Sequence, residues 1–224
     1  MAQDAYHELS ARFAAHGLLL RGGFVPRPED AVPVVSEGRA AAAVLIIGNA
    51  GPEMWRHFAP HANDGPDALD RWTRRVVEAI AAPIGAKAVY PFQSPPLPFL
   101  RWAMRAEDVQ PSPIGVLIHP EYGLWHAYRA ALLLPGPIEL PAPPDRPRPC
   151  ETCLERPCLT ACPVGAFDYG YDVTACRTHL TSGRGEDCLG NGCRARAACP
   201  VGAPYAPGQA RFHMAAFQNA TGTA

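Results

Sequence analysis

The eight cysteines of this 224-residue chain all lie between Cys150 and Cys199. Four of them belong to the stretch CETCLERPCLTACPVGAF, which runs from Cys150 to Phe167. A second stretch, CLGNGCRARAACPVGAP, runs from Cys188 to Pro204 and repeats the sequence Cys-Pro-Val-Gly-Ala. So many thiols in so short a segment imply covalent or metal cross-links, and these constrain the local fold more strongly than hydrophobic patterning does.

The rest of the sequence favours metal over disulfides. The first ten residues, MAQDAYHELS, have neither the basic region nor the apolar region of a secretory signal. The longest apolar run, residues 40–48, is too short to cross a bilayer. A formal net charge of −1 shows no basic excess for nucleic acid. We therefore expect a cytoplasmic protein with no membrane or nucleic-acid partner.

The cysteine spacing predicts two [4Fe–4S] clusters. The first block reads C-x2-C-x4-C-x3-C-P, close to the C-x2-C-x2-C-x3-C-P run of bacterial ferredoxins, whose fourth cysteine binds the other cluster. Zinc, which also accepts four thiolates, is the main alternative metal. The predicted ligands of one cluster are Cys150, Cys153, Cys158 and Cys199, and those of the other are Cys162, Cys176, Cys188 and Cys193.

A proline-rich segment separates the cysteines from the preceding sequence. Residues 135–149 contain seven prolines in fifteen positions, which excludes a regular helix or a central strand and indicates a stiff connector. The predicted domains are therefore residues 1–145 and residues 146–224.

Hydrophobic periodicity predicts an α+β fold for the first domain. It indicates helices over residues 4–17, 51–58 and 66–83, strands over residues 42–49, 87–92 and 114–120, and favours a strand over residues 126–135. In the helix of residues 66–83, the apolar positions Leu69, Trp72, Val76, Val77 and Ile80 share one face.

The stretch IGVLIHPEYGLWHAYRAALLLPGPIELPAPP, residues 114–144, resembles the CblC family of cobalamin-processing proteins. The residues that carry the resemblance are His119, Pro120, Tyr122, Gly123, Trp125, Arg129, Leu133, Leu134 and Pro135. This resemblance implies a flavin-nitroreductase-like α/β domain that binds vitamin B12 base-off and reductively removes its upper ligand.

A cobalamin domain followed by two clusters resembles epoxyqueuosine reductase and the reductive dehalogenases. Residues 172–182, DVTACRTHLTS, resemble the segment that supplies a further cluster ligand in the epoxyqueuosine enzyme. The expected second domain is therefore small and bacterial-ferredoxin-like. Because the chain has no visible phosphate-binding loop, we do not expect it to require flavin.

The expected cobalamin-binding residues are eight residues that lie within residues 114–144 or before them. Arg129, Gln93 and Tyr122 suit the amides at the corrin rim, and Trp125 and Phe92 suit its flat face. His119, Pro120 and Gly123 complete the set. Trp125 and Tyr122 equally suit core packing, His119 suits a cap at a strand end, and Gly123 suits a tight turn. No catalytic residue is identified.

The resulting hypothesis is an iron–sulfur-dependent cobalamin reductase and cyanocobalamin decyanase, an oxidoreductase supplied by an external ferredoxin, flavodoxin or reductase. One alternative is a cobalamin-dependent reductase of another substrate, as in epoxyqueuosine or organohalide reduction. The other is a B12 chaperone or electron carrier without catalysis.

Overall fold

A computed structural model describes residues 2–142 and 146–219, without the side chains of residues 2–4. The helices are α1 Ala2–Ala14, α2 Glu53–Phe58, α3 Ala68–Ala81, α4 Phe99–Ala106, α5 Pro149–Thr152, α6 Pro157–Thr160, α7 Val173–Thr181, α8 Glu186–Asn191, α9 Arg194–Ala197 and α10 Pro207–Asn219. The strands are β1 Leu19–Phe24, β2 Ala43–Ala50, β3 Lys87–Val89, β4 Gln110–Pro111, β5 Leu117–Ile118 and β6 His126–Leu134. The predicted boundary at residue 145 lies outside the described residues.

The fold is α+β, as the sequence predicts, with helices of mixed length and a small antiparallel sheet. The strands over residues 42–49 and 126–135 are confirmed as β2 and β6. The helix over residues 66–83 is confirmed as α3, and its predicted apolar face is buried. The run over residues 114–120 forms only the two-residue strand β5. The strand β1 and the helix α4 were not predicted.

The chain divides into two compact units that do not follow the order of the sequence. The first unit comprises residues 1–109 and 126–146, and the second comprises residues 110–125 and 147–224. The first part of the segment that resembles the CblC family, residues 114–125, therefore belongs to the unit that contains the cysteines, and the part from residue 126 onward belongs to the first unit. The division of functions between two domains stays a prediction.

The first unit is built on a four-stranded antiparallel sheet in the order β1-β2-β6-β3. Residues 43–47 of β2 and residues 130–134 of β6 are apolar and buried, which fits central strands that are covered on both faces over this length. Phe24, Val44, Phe99, Trp102 and Leu133 form one buried cluster of this unit. Helix α4 contributes two of these side chains, so it is anchored in the core of the first unit.

The second unit consists of short helices and the two-stranded ladder β4–β5. Its core contains Ile114, Ile118 and Leu124 together with Cys158 and Phe167. Few apolar side chains are available for this core, so cross-links through the cysteines are expected to contribute to its stability. Within residues 2–142 and 146–219, no helix is both long enough and apolar enough to cross a membrane.

Candidate metal centres

Four cysteines of the second unit line one pocket. They are Cys150, Cys153, Cys158 and Cys199, which are the four that the sequence assigns to one cluster. Other lining residues are Ser112, Pro113, Ile118, Leu124, Pro149, Arg156, Pro157, Pro200 and Val201. Apart from the thiols, the lining is mostly apolar, so a group bound there would be surrounded mainly by apolar side chains.

The thiols of this pocket are close enough to affect one another electrostatically. Burial raises the pKa of Cys150, and negative charge on Cys199, Cys158 or Cys153 raises it further. Burial likewise raises the pKa of Cys158, again with contributions from Cys199 and Cys153. Ionised together, the four sulfurs repel one another, and a bound cation would remove that repulsion.

The other four cysteines form a second group. Burial raises the pKa of Cys176, and the neighbouring Cys193 and Cys162 raise it further. The pKa of Cys188 is raised by burial and by Cys193, with smaller contributions that include Cys162 and Cys176. The structure thus brings Cys162, Cys176, Cys188 and Cys193 into one neighbourhood.

Aromatic side chains flank the second group. Tyr171 forms a hydrogen bond with Cys176, which lowers the pKa of that thiol against the larger effect of burial. The ring of Tyr171 stacks on Phe167, with centroids 4.9 Å apart, and on Phe217 at 6.4 Å. Ala166 N–H donates to Cys162 Sγ at 3.4 Å. Both a phenol and a backbone amide therefore contact sulfur atoms of this group.

The donor sets fit two four-iron clusters chemically. Each group supplies four thiolates, the usual ligand set of a [4Fe–4S] cluster, in which each thiolate binds a different iron atom. In the described part of the chain, there is no group of three or more His, Cys, Asp or Glu side chains whose placement could hold a metal ion.

The turn after β5 is organised by His119. The backbone N–H and C=O groups of His119 and Gly123 exchange two hydrogen bonds of 2.9 Å. His119 Nδ1 accepts from the N–H groups of Glu121 and Tyr122 at 3.0 and 3.1 Å, and the His119 ring stacks on Tyr122. An accepting nitrogen carries no proton, so the proton of the neutral ring is on Nε2.

This turn fits closely against the loop that follows Cys199. Gly123 has φ = +58°, and a Cβ atom there would overlap the Val201 carbonyl oxygen. Gly202 has φ = +87°, and a Cβ atom there would overlap the Tyr122 carbonyl oxygen. The two glycines allow the two backbones to approach each other. The turn of residues 119–123 therefore directly supports the loop after the predicted cluster ligand Cys199.

Trp125 lies in the core of the second unit. It is 4% exposed and packs with Tyr205 and Ala210. The guanidinium of Arg196 lies 5.0 Å from the Trp125 ring and 5.2 Å from the Tyr205 ring, and it donates to the Leu124 carbonyl oxygen. These contacts account for Trp125 through packing, which was one of its two interpretations from the sequence.

Phe92 and Gln93 lie in the first unit, after β3. The ring of Phe92 is 36% exposed and stacks on Tyr90 at 5.0 Å, and Arg74 lies over both rings. Gln93 Oε1 accepts from the Tyr90 N–H at 2.8 Å, so this amide oxygen stabilises the loop. Phe92 therefore presents an accessible aromatic edge or face on this unit.

Arg129, on β6 of the first unit, is half-buried and lies near Asp70 of α3. Burial raises the pKa of the Asp70 carboxyl, and the positive charge of Arg129 opposes that rise. The eight predicted cobalamin-binding residues are thus divided between the units. Phe92, Gln93 and Arg129 lie in the first, and His119, Pro120, Tyr122, Gly123 and Trp125 lie in the second.

A buried ion pair between Arg21 and Glu107 in the first unit was not predicted from the sequence. Arg21 donates to both carboxylate oxygens of Glu107, at 2.7 and 2.9 Å, and Tyr128 Oη donates to Glu107 Oε1 at 2.6 Å. Arg21 is only 3% exposed. The pair joins β1 to the segment after α4, a contact between positions 86 residues apart that no local pattern reveals.

Comparisons with known proteins find similar solved structures, two of which are given below. No protein-family model matches the sequence, and no curated protein is detectably similar to it. One similar structure is the C. elegans B12-trafficking protein CblC, a human MMACHC homologue. It is 12% identical, with a TM-score of 0.49, and the match covers 99% of this chain and 98% of that one. Another is epoxyqueuosine reductase from Streptococcus thermophilus. It is 17% identical, with a TM-score of 0.44, and the match covers 93% of this chain and 69% of that one.

Proposed function

We propose that this protein is an iron–sulfur-dependent cobalamin reductase that binds vitamin B12 base-off and removes its upper ligand, including cyanide. The observation that carries the proposal is the division of the eight cysteines into two groups of four, one of which lines a single pocket. The cobalamin part rests on the sequence resemblance of residues 114–144 to the CblC family.

The cysteines would hold two [4Fe–4S] clusters, which supply one-electron transfer at potentials of roughly −700 to +450 mV. The lining of the first pocket is mostly apolar apart from its thiols. The interlocked turns at Gly123 and Gly202 hold the loop after Cys199 in place. Together these features favour a rigid electron-transfer site, because a site that moves little reorganises little when its charge changes.

Removal of cyanide from cobalt(III) requires electrons on the metal. One electron gives cobalt(II), and cyanide leaves with the electron pair of its bond to cobalt. The chain's part in this step is to bind the corrin without its lower base and to keep cobalt accessible to electrons. Arg129 and Phe92 are the proposed contacts in the first unit, through a charged donor and an accessible ring.

An anaerobic reaction with cyanocobalamin tests this function. Protein purified without oxygen is expected to contain about eight irons per chain, as two four-iron clusters require. With a reduced ferredoxin as electron source and no dithionite or flavin, it should convert cyanocobalamin to reduced cobalamin and release free cyanide. The reaction is followed by absorption spectroscopy and by a cyanide assay, with the ferredoxin alone as the control.

Each other outcome identifies a different alternative. Zinc in place of iron in fully loaded protein would overturn the electron-transfer function. Binding of cyanocobalamin with intact clusters but no change of its spectrum would assign the chain to the chaperone class. Reduction of cobalamin that depends strictly on added FMN would overturn the proposal that the clusters are the electron source.

A further inference from the structure

Ser112 is a buried residue whose hydroxyl group has no hydrogen-bond partner within the described residues. Its exposed fraction is 8%, and its Oγ atom is inaccessible to water. Its backbone is fully engaged, since Ser112 N–H donates to the Val116 carbonyl oxygen and Ser112 C=O accepts from Gly115 N–H, both at 2.9 Å. The turn of residues 112–116 therefore fixes the backbone from which the hydroxyl group extends.

Ser112 also lines the pocket that contains Cys150, Cys153, Cys158 and Cys199. Apart from these thiols and the exposed Arg156, its neighbours in the lining are apolar side chains and prolines. A buried hydroxyl without a hydrogen-bond partner lowers the stability of the folded state. Alanine at this position would avoid that cost, so the presence of the hydroxyl group indicates a hydrogen-bond partner that the described residues do not supply.

We propose that Ser112 Oγ–H donates a hydrogen bond to a sulfur atom of the iron–sulfur cluster held by these four cysteines, either a thiolate or an inorganic sulfide. This inference rests on the proposed function. Sulfur atoms of such clusters accept hydrogen bonds, and those bonds are among the factors that set the reduction potential.

The direction of the effect follows from charge. A reduced cluster carries one more negative charge than the oxidised form, so a hydrogen-bond donor stabilises the reduced form more. Ser112 therefore raises the reduction potential of this cluster above the value that the cluster would have without the hydroxyl group. Ser112 is a positioning and tuning residue for the first cluster, and it does not bind iron.

The test compares wild-type protein with Ser112→Ala and Ser112→Thr, all purified anaerobically. Iron per chain is measured first and is expected to be equal in the three proteins. A redox titration followed by electron paramagnetic resonance then gives the potential of each cluster. In Ser112→Ala, the ratio of reduced to oxidised first cluster at a fixed potential should fall about fivefold, because the lost hydrogen bond favours the reduced, more negative form by about 1 kcal/mol. Ser112→Thr retains a hydroxyl and should stay close to wild type, and the second cluster should not change.

The outcomes separate this inference from the function on which it rests. Wild-type protein without iron overturns the proposed function. Intact clusters with the same potentials in wild type and Ser112→Ala overturn the role of Ser112 and leave the function standing. If Ser112→Ala fails to retain iron, the isosteric pair Ser112→Thr and Ser112→Val provides the comparison. Equal potentials in that pair also overturn the role of Ser112.

Discussion

The turn of residues 119–123 depends on a single residue, Gly123, having no side chain. It has a positive φ, and an added Cβ atom would overlap the Val201 carbonyl oxygen. Gly115, eight positions earlier in the same segment, also has a positive φ of +78°, but nothing lies within 4 Å of its Cβ position. The two glycines therefore separate the cost of backbone strain from the cost of a steric clash.

Substitution of each glycine by alanine gives a matched prediction. Gly115→Ala should destabilise the protein by about 1 kcal/mol, because an L-residue is strained at positive φ. Gly123→Ala should cost about 3 kcal/mol, because the backbone of residues 201–202 must also move. Denaturant unfolding measures both, and iron content should fall only in Gly123→Ala. Equal destabilisation by the two substitutions would contradict the close approach of the two turns.

Arg129 offers a second prediction at this scale. Arg129→Ala should weaken the binding of cyanocobalamin about tenfold, because it removes a charged donor worth about 1.5 kcal/mol. Iron content should stay at the wild-type value, since Arg129 belongs to the first unit. A titration with cyanocobalamin followed by absorption measures the affinity, and Arg101→Ala serves as the control because Arg101 is exposed. Wild-type affinity in Arg129→Ala would remove this residue from the cobalamin site.

Among the helices, α4 is anchored by contacts with the turn at Asp30. Arg105 forms an ion pair with Asp30, and Trp102 Nε1–H donates to the Asp30 carbonyl oxygen at 2.8 Å. Burial raises the pKa of Asp30, but the hydrogen bonds from Arg105 and from the Arg27 N–H outweigh it and hold the pKa below the usual value. The ionised carboxylate thus stabilises the folded state.

The ion pair predicts how α4 responds to substitution and to pH. Arg105→Ala should destabilise the protein by about 2 kcal/mol, and Arg101→Ala on the same helix should change stability by less than about 0.5 kcal/mol. Because the pKa of Asp30 is depressed, its contribution is complete above the usual aspartate range near pH 4 and is lost as the pH falls through the folded value. The difference between wild type and Arg105→Ala should therefore shrink at low pH. Hydrogen exchange over residues 99–106 provides the measurement, and a constant difference would contradict the pair.

The elements that the sequence predicted are those with a strong periodic signal. Helix α3 has five apolar side chains on one face, and β2 is a continuous apolar run. Strand β1, LLRGGF, lacks such a signal, because Arg21 and two glycines interrupt it. Its register shift between Leu20 and Gly23 and the pairing of Arg21 with Glu107 depend on distant residues. Tertiary contacts of this kind are outside the reach of local pattern.

The same limit applies to the candidate site. The spacing of the cysteines predicts two groups of four, because close spacing and the Cys-Pro repeats are local features, and the assignment of each group to a cluster stays a prediction. The involvement of Ser112 and the fit of Gly123 against Gly202 were not predictable, because they arise only when residues 110–125 pack beside residues 199–202. The sequence allows two interpretations of Trp125 and two of His119. Only the packing around each side chain can distinguish between its two interpretations.

At the scale of the whole molecule, the two cysteine groups should behave as separate sites. Cys199→Ala is expected to lose the first cluster and retain about four of about eight irons per chain. Cys176→Ala should lose the second cluster and retain a similar number. Both variants should still bind cyanocobalamin, because Phe92, Gln93 and Arg129 belong to the first unit, while release of cyanide falls steeply in each. Iron analysis and the cyanide assay test this, and wild-type decyanation by a variant that has lost a cluster would show that this cluster has a structural role only.

The discontinuous second unit has a consequence for how proteins of this kind can be rearranged by recombination. Its chain is interrupted between residues 125 and 147, and three of its core side chains, Ile114, Ile118 and Leu124, precede the interruption. Exchange of residues 147–224 for the equivalent segment of another protein would place new loops against these three unchanged side chains. The resulting hybrid protein would retain a packed core only if the new loops fitted them. Residues 110–125 should therefore change together with the cysteine loops during divergence, while the neighbouring strand β6 changes together with the sheet.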